Sequence, residues 1–239
     1  MKIAALIPAR LHSTRLPKKL IQDLGGLSVI GRTYQAVKNT KLFDHVSVIT
    51  DSEAIAKEVQ RAGGDVFMSK SEHKTGSDRI AEAAKYLTYD AIINVQGDEP
   101  FIDGELLKML AEAIQEEDAE VVTAAFPIST AEDLYNTNNV KVYFNKQGLA
   151  ENFSRYPMTN TSHHQHIGVY AFKKPILERF TQLPMSERER EFNLENLRFL
   201  DNGIKVRILV VDTPSIGIDT QEDLDKARQL WNQTNSTDN

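Results

Sequence analysis

Short apolar runs that alternate with segments of helical spacing constrain this chain more than any other feature of its sequence. Ile3 to Ile7, His45 to Thr50, Val66 to Met68 and Ala91 to Val95 are each too short for a buried helix and each closes in a polar turn, so they read as strands. Pro8 is read as the stop of the first. A helix is expected after Ser28, its N-cap candidate, with Val29, Ile30, Tyr34 and Val37 on its apolar side. Ala54, Ile55, Val59 and Ala62 recur at helical spacing until Gly63-Gly64 ends the segment. Further helices are expected from about Asp78 to Leu87 and from about Asp103 to Glu116, and a strand over Ala119 to Phe126. Such alternation builds right-handed βαβ units, an α/β class with a mainly parallel, Rossmann-like sheet flanked by helices.

In such sheets ligands bind beyond the carboxyl ends of the strands. Pro8-Ala9-Arg10, Asp51 and Gln96-Gly97-Asp98 all fall at such ends. After about residue 130 the pattern loosens. Val140 to Phe144, Ala150 to Phe153 and His166 to Phe172 are short β-like pieces, a helical stretch covers about Arg188 to Leu200, Lys205 to Val211 is a strand, and a closing helix runs from Thr220, as N-cap, to Trp231. No internal repeat or low-complexity linker divides the chain. It reads as a single domain over residues 1–239, with about 130–172 contributing a smaller β-rich lobe.

Composition excludes several classes. The chain has 239 residues, a formal charge of −6, a pI near 5.6 and no cysteine. An acidic chain lacks the broad basic face that nucleic-acid binding needs, and without cysteine there is no disulfide, zinc thiolate or thiol nucleophile. No run approaches a membrane span, so a cytoplasmic protein is expected. The stretch Asn232 to Asn239 reads as a polar tail.

Against that acidic background one loop reverses sign. Arg10, Arg15, Lys18 and Lys19 follow the first strand with the hydroxyls of Ser13 and Thr14 and no acid. Four cations on one loop suit a polyanion, most simply a triphosphate; a solvated basic turn is the bland reading. Asp98 is the first candidate for a hard cation such as Mg²⁺, which takes oxygen ligands and is satisfied by one or two carboxylates plus phosphate oxygens. Asp219, directly before the closing helix, is the second; alternatively it caps that helix. His73, Lys74, Ser77 and Arg79 lie at a loop and helix start suited to an anion, or to an ordinary cap. His163, His164 and His166 have no spacing specific for zinc. There is no Walker motif and no Ser-His-Asp or Cys-His set. Nucleotidyl transfer fits these residues best.

The ordered segments Ile7-Pro8-Ala9-Arg10, Ser13-Thr14-Arg15-Leu16-Pro17, His73 to Arg79, Val95 to Pro100, Phe153-Ser154-Arg155, His166 to Tyr170, Leu194 to Arg198 and Gly217 to Thr220 resemble the cytidylyltransferases that activate 3-deoxy-manno-octulosonate (KDO). The resemblance spans residue 2 to about 230. It implies CTP contacts from Arg10, Ser13, Arg15, Lys19, Thr75, Ser77, Arg79 and Gln96, with Lys19, Arg10 and Asp98 at the reacting phosphate and Lys18 outside the set. It implies sugar contacts from Gln96, Arg155, His166, Glu195 and Asn196, and Mg²⁺ on Asp98 and Asp219. The implied product is the CMP-sugar used in lipopolysaccharide biosynthesis, made by a homodimer with CTP and a 3-deoxy-ulosonate acid as its partners and with no nucleic acid or membrane.

The sugar side departs from the family pattern. Phe192 stands in place of an acid and Asn196 in place of a glutamine. On one continuous helix residues four apart share a face, which would put both changes beside Glu195. Tyr156 to Asn160 also differ, and Pro214-Ser215-Ile216-Gly217 lacks an expected glycine. These departures raise two alternatives: a variant acidic sugar such as 8-amino-KDO, or a non-catalytic nucleotide-sugar binder.

Overall fold

β1 (Ile3–Ala9) is buried at all seven positions, as expected of a strand covered on both faces of a parallel sheet. It does not stop at Pro8. Pro8 pairs in register with Ile49 and Ala9 with Thr50, because proline is tolerated near a strand end where its missing N–H costs little. Lys19–Ile21 form a 3-10 turn, and β2 (Asp23–Leu24) and β3 (Leu27–Ser28) a small hairpin. α1 (Val29–Asn39) starts where Ser28 Oγ accepts from the Gly31 amide at 3.3 Å, and it buries Val29, Ile30, Tyr34 and Val37. β4 (His45–Thr50) lies parallel to β1, and β5 (Asp65–Met68) parallel to β4.

α2 (Glu53–Arg61) ends as its two glycines foretell. Gly63 takes φ 75°, and the Gly64 amide donates to the Val59 carbonyl at 2.9 Å, a left-handed closure that glycine makes without strain. α3 (Gly76–Ala84) begins two residues before Asp78, since Thr75 Oγ1 accepts from the Asp78 amide at 3.1 Å and caps it.

The structure, a computed structural model, describes all residues except 71, 72, 74, 160, 161, 213–215 and 236–239. The described chain gathers into two units. The first comprises Ala4–Leu87, Asn94–Gly104 and Ser215–Asn239; the second comprises Met1–Ile3, Thr88–Ile93 and Glu105–Pro214.

The second unit contains most of β6 (Ala91–Asn94) and α4 (Gly104–Ala113), then β7 (Val121–Pro127), α5 (Ala131–Tyr135), β8 (Lys141–Phe144), β9 (Ala150–Ser154), β10 (His164–Lys173), α6 (Lys174–Gln182), α7 (Glu187–Phe192), α8 (Asn196–Asp201) and β11 (Val206–Val210). Its strand order is β11-β7-β10-β6, with β8 and β9 attached to β10. β11 is parallel to β7, but β10 runs antiparallel to both β7 and β8, and β9 antiparallel to β8. Antiparallel neighbours need no helical crossover, which is why the strand–helix alternation fades after residue 130.

Two helical expectations change here. The stretch from Arg188 to Leu200 is two helices. Asn193 adopts a left-handed conformation (φ 51°) that ends α7, and α8 starts at Asn196. Phe192 therefore shares no helix face with Glu195 and Asn196, and it is 36% exposed. The helices α5 and α6 were not expected. α6 carries Pro175 in its first turn, a start signal masked by the strand-like residues just before it.

The chain closes in the first unit with α9 (Gln221–Asn235). Thr220 Oγ1 accepts from the Asp223 amide at 3.2 Å, and Asp223 Oδ2 accepts from the Thr220 amide at 2.8 Å. This reciprocal cap makes Thr220, not Asp219, the helix-capping residue.

Candidate active site

Within the first unit the basic loop meets both acids. Lys19 Nζ donates to Asp98 Oδ2 at 2.5 Å and to Asp219 Oδ1 at 2.8 Å, and Arg15 Nη2 lies 3.0 Å from Asp219 Oδ2. Three backbone arrangements hold this geometry. Thr33, on α1, donates its Oγ1 hydrogen to the Gly97 carbonyl at 3.0 Å. A Cβ on Gly97 would come 3.2 Å from the Pro8 carbonyl oxygen and 3.1 Å from Ile30 Cδ1, so glycine lets the turn approach β1 without crowding. The Ile218 amide donates to the Asp98 carbonyl at 2.9 Å, which sets Asp219 beside Asp98.

Burial opposes the charge on Lys19, but the pull of Asp98 and Asp219 outweighs it, so its pKa is raised and it is an ammonium at neutral pH. The two carboxylates therefore converge on a single cationic point. Hard oxygen donors in this arrangement fit a divalent cation that takes its remaining ligands from phosphates and water.

The other nucleotide-side candidates lie in the same unit. Arg10 is exposed at the end of β1. Ser13 Oγ is 3.5 Å from the Leu16 amide, and Lys18 is left-handed (φ 53°) immediately before the Lys19 turn. Gln96 is half-buried just past β6. Arg79 is 5% exposed and grips Asp51, which follows β4, in two-point fashion at 3.1 and 3.2 Å. Its guanidinium thus fastens α3 to the strand end. Thr75 acts as a cap, and Ser77 is buried. Lys74 lies outside the described residues.

Sequence reasoning missed the residue that anchors this loop. Glu82, on α3, accepts from Ser69 Oγ at 2.5 Å, from the Lys70 amide at 3.0 Å and contacts His73 Nε2 at 2.6 Å. Burial works against its charge, but these hydrogen bonds and His73 win and bring its pKa to about 2. The signal was present as an acid on the buried side of an amphipathic helix.

The sugar-side candidates gather in the second unit. Thr123 Oγ1 and His166 Nε2 are 3.0 Å apart, and the His166 ring lies between Phe153 and Tyr170, at 5.3 and 5.2 Å between ring centres. Tyr170 hydrogen-bonds the Asn196 side chain and feels the charge of Glu195; burial, with Glu195, pushes its pKa up. His166, Glu195 and Asn196 are therefore brought together, with Thr123 and Tyr170 as members that spacing did not identify. Arg155 stands apart in its chemistry. Its guanidinium donates to the carbonyls of Thr137, Phe192 and Asn193 at 3.0, 3.2 and 3.3 Å. His163 contacts the Met158 carbonyl at 2.9 Å, and His164 packs on Phe144.

Burial lowers the pKa of His166 to about 3. An unfolded chain takes up that proton near pH 6.5, whereas the folded chain does not until near pH 3. Stability tied to His166 is therefore complete above about pH 6.5 and is lost as pH falls toward 3. Urea midpoints measured from pH 7 to 4 are expected to fall with a one-proton component that His166→Gln removes. An unchanged slope in the variant would contradict the neutral ring.

A profile for the cytidylyltransferase family matches residues 4–208. A 3-deoxy-manno-octulosonate cytidylyltransferase of Christiangramia forsetii is 45% identical over 239 residues, covering 96% of each chain. A protein of the same name from Flavobacterium johnsoniae is also 45% identical, covering 96% of this chain and 98% of its own. Among solved structures, a CMP:2-keto-3-deoxy-manno-octonic acid synthetase complexed with CTP superposes with a TM-score of 0.92 at 33% identity, covering 98% of this chain and all of that one. With the cationic loop, the paired carboxylates and the βαβ frame already in place, these matches agree on one assignment: the chain belongs to the cytidylyltransferase family.

Proposed function

We propose that this enzyme transfers the cytidylyl group of CTP to the anomeric hydroxyl of KDO, giving CMP-KDO and pyrophosphate. The convergence of Lys19, Arg15, Asp98 and Asp219 in one unit carries the reading, because it supplies fixed cations for phosphates and a carboxylate pair for a divalent metal. The KDO-specific names of the relatives support the choice of sugar. The sugar hydroxyl attacks the α-phosphorus and pyrophosphate leaves, so the protein's task is alignment and charge neutralisation, without a protein nucleophile. Lys19, Arg15 and Arg10 bind the triphosphate and disperse charge on the leaving pyrophosphate. Asp98 and Asp219 would hold Mg²⁺, which would supply positive charge to polarise the phosphoryl oxygens. Thr75, Ser77, Ser13 and Gln96 contact the nucleotide, while Arg79 secures α3 through Asp51.

On the sugar side, His166, Glu195, Asn196 and Arg155 orient the acid. A neutral His166 serves as a hydrogen-bonding group and not as a charge. The 8-amino-KDO reading loses the support of Phe192, which the break at Asn193 removes from the Glu195 face. The product would be the activated donor for lipopolysaccharide assembly, made in the cytoplasm where CTP is available. No helix among the described residues is long and apolar enough to cross a membrane. We further propose a homodimer that uses the β8–β9 region, where Tyr156 and Met158 are 60% and 44% exposed. Sedimentation equilibrium is expected to give twice the chain mass, and Tyr156→Glu with Met158→Glu to shift it to the monomer.

The decisive assay is Mg²⁺-dependent pyrophosphate release from CTP with KDO, run beside 8-amino-KDO. Rapid release with KDO is expected. Preference for the amino sugar would replace the substrate, and CTP binding without release from either sugar would point to the non-catalytic binder.

A further inference from the structure

The basic loop carries two lysines in succession, and Lys19 is the one that meets the acids. Lys18 is exposed, and among the described residues its side chain makes no hydrogen bond or ion pair. Its backbone is left-handed, at φ 53° and ψ 33°, and its carbonyl accepts from the Ile21 amide at 3.1 Å to open the Lys19–Ile21 turn. That conformation costs a residue with a Cβ more than it costs glycine. Glycine would make the same turn without strain, so a lysine there points to a use for its side chain.

The turn also indicates where that use lies. A left-handed residue followed by a right-handed turn directs successive backbone N–H groups to one side, a concavity suited to anions. The Lys18 amide makes no backbone hydrogen bond among the described residues. Lys18 thus stands in an anion-suited turn, next in the chain to the ammonium that meets Asp98 and Asp219.

Charge balance gives the same answer. Lys19 offsets Asp98 and Arg15 offsets Asp219, so these four groups together are neutral. Arg79 is matched by Asp51. A fully ionised triphosphate stays negative after one divalent cation has joined it. Arg10 and Lys18 bond to no acid among the described residues, which leaves their charges to meet that excess.

We infer that Lys18 binds the β- and γ-phosphates of the nucleotide and, with Arg10, meets the charge of the departing pyrophosphate. Lys18 takes this role only if the loop binds CTP, the reading on which this inference rests, and it joins a phosphate-binding set from which the family resemblance leaves it out. The flexible stem of lysine lets its ammonium follow a phosphate as it leaves, and a hydrogen bond between two charged groups is among the stronger ones a protein makes.

Variants at this position separate charge from backbone. Lys18→Gly removes the ammonium and relieves the left-handed turn, Lys18→Gln removes the ammonium and keeps a side chain there, and Lys18→Arg keeps the charge. Calorimetry in the presence of Mg²⁺ measures the affinity for CTP, for pyrophosphate and for CMP, which lacks the β- and γ-phosphates. Lys18→Gly and Lys18→Gln are expected to weaken CTP and pyrophosphate about tenfold, with CMP within about twofold of wild type. The loss is expected to shrink at high salt, which screens an exposed charge. Lys18→Arg is expected to stay within about threefold of wild type for every ligand. Thermal unfolding is expected to show Lys18→Gly at least as stable as wild type, so that lost affinity is not lost fold. Wild-type CTP affinity in Lys18→Gly overturns the inference and leaves Lys18 a solvated lysine. An equal loss for CMP overturns it by assigning the effect to the shape of the loop. A wild type that binds neither CTP nor pyrophosphate overturns the parent reading, and this inference with it. Wild-type binding that every variant retains overturns this inference only.

Discussion

Asp98→Asn is expected to lower kcat by about 10²–10³-fold while leaving the fold intact. The side chain is one of two carboxylates converging on Lys19 Nζ, and it is the less exposed, 25% against 45% for Asp219. Asparagine keeps the shape but removes the charge. On the proposed metal reading a divalent ion would keep a single protein carboxylate, and Lys19 would be held toward Asp219. Loss of one preorganised electrostatic contact at a reacting centre costs about this much. The backbone arrangement should persist, because the Ile218 amide donates to the Asp98 carbonyl and not to its side chain. Steady-state pyrophosphate release, with CTP affinity measured separately by calorimetry, reads the effect. A kcat within threefold of wild type would remove Asp98 from the reacting centre. Asp219→Asn is expected to fall in the same direction but less, since Asp219 is more solvated and also neutralises Arg15.

The largest stability effect is expected at Glu189 in the second unit. Glu189 is 4% exposed and Arg198 5% exposed. Arg198 Nε donates to Glu189 Oε2 at 2.6 Å, with a second bond from Nη2 to Oε1, and the guanidinium also lies over the Phe180 ring at 4.5 Å. The same carboxylate accepts from the Ser186 amide at 3.2 Å, closing the capping box of α7. Glu189→Leu strands a buried arginine and removes the side-chain half of the capping box, so a loss of about 3–5 kcal/mol is expected. Glu189→Leu with Arg198→Leu should be less destabilised than Glu189→Leu alone, because no uncompensated charge remains. Urea unfolding of the three proteins is the measurement. A double variant as unstable as the single one would show that the packing around the pair, not the stranded charge, sets the cost. The pair also joins α7 to α8 across the turn that carries Glu195, so its loss should raise KM for the sugar more than KM for CTP.

How far the sequence could be read depended on how local the determining physics is. The parallel strands of the first unit, the Ser28 cap and the Gly63-Gly64 stop are written in neighbouring residues, and they appear where spacing predicts them. The division of the stretch 188–200 was not legible, because apolar spacing continues across Asn193 while the chain turns there into a left-handed conformation. Helix α6 was hidden because Phe172-Lys173-Lys174-Pro175 reads as a strand end until β10 is seen to finish at Lys173. Thr123, Tyr170 and Glu82 carried no motif of their own; partners 9 to 43 residues away give them meaning.

The sequence alone determined the βαβ class, the cationic loop after the first strand and the candidacy of Asp98 and Asp219, since charge sign and strand ends are properties of adjacent residues. The tertiary structure decided what those charges do. Lys19 meets carboxylates 79 and 200 residues away, and Arg79 is committed to Asp51, pairings that depend on which strand ends the sheet brings together. It also decided that Lys141, an ordinary lysine in an alternating strand by sequence, is buried and bonded to backbone carbonyls, with no bonded acid among the described residues. Whether such a charge is solvated or stored depends on the carbonyls that close around it, and those of Asn136 and Asn139 are joined by that of Arg155 from β9's far end, 14 residues away.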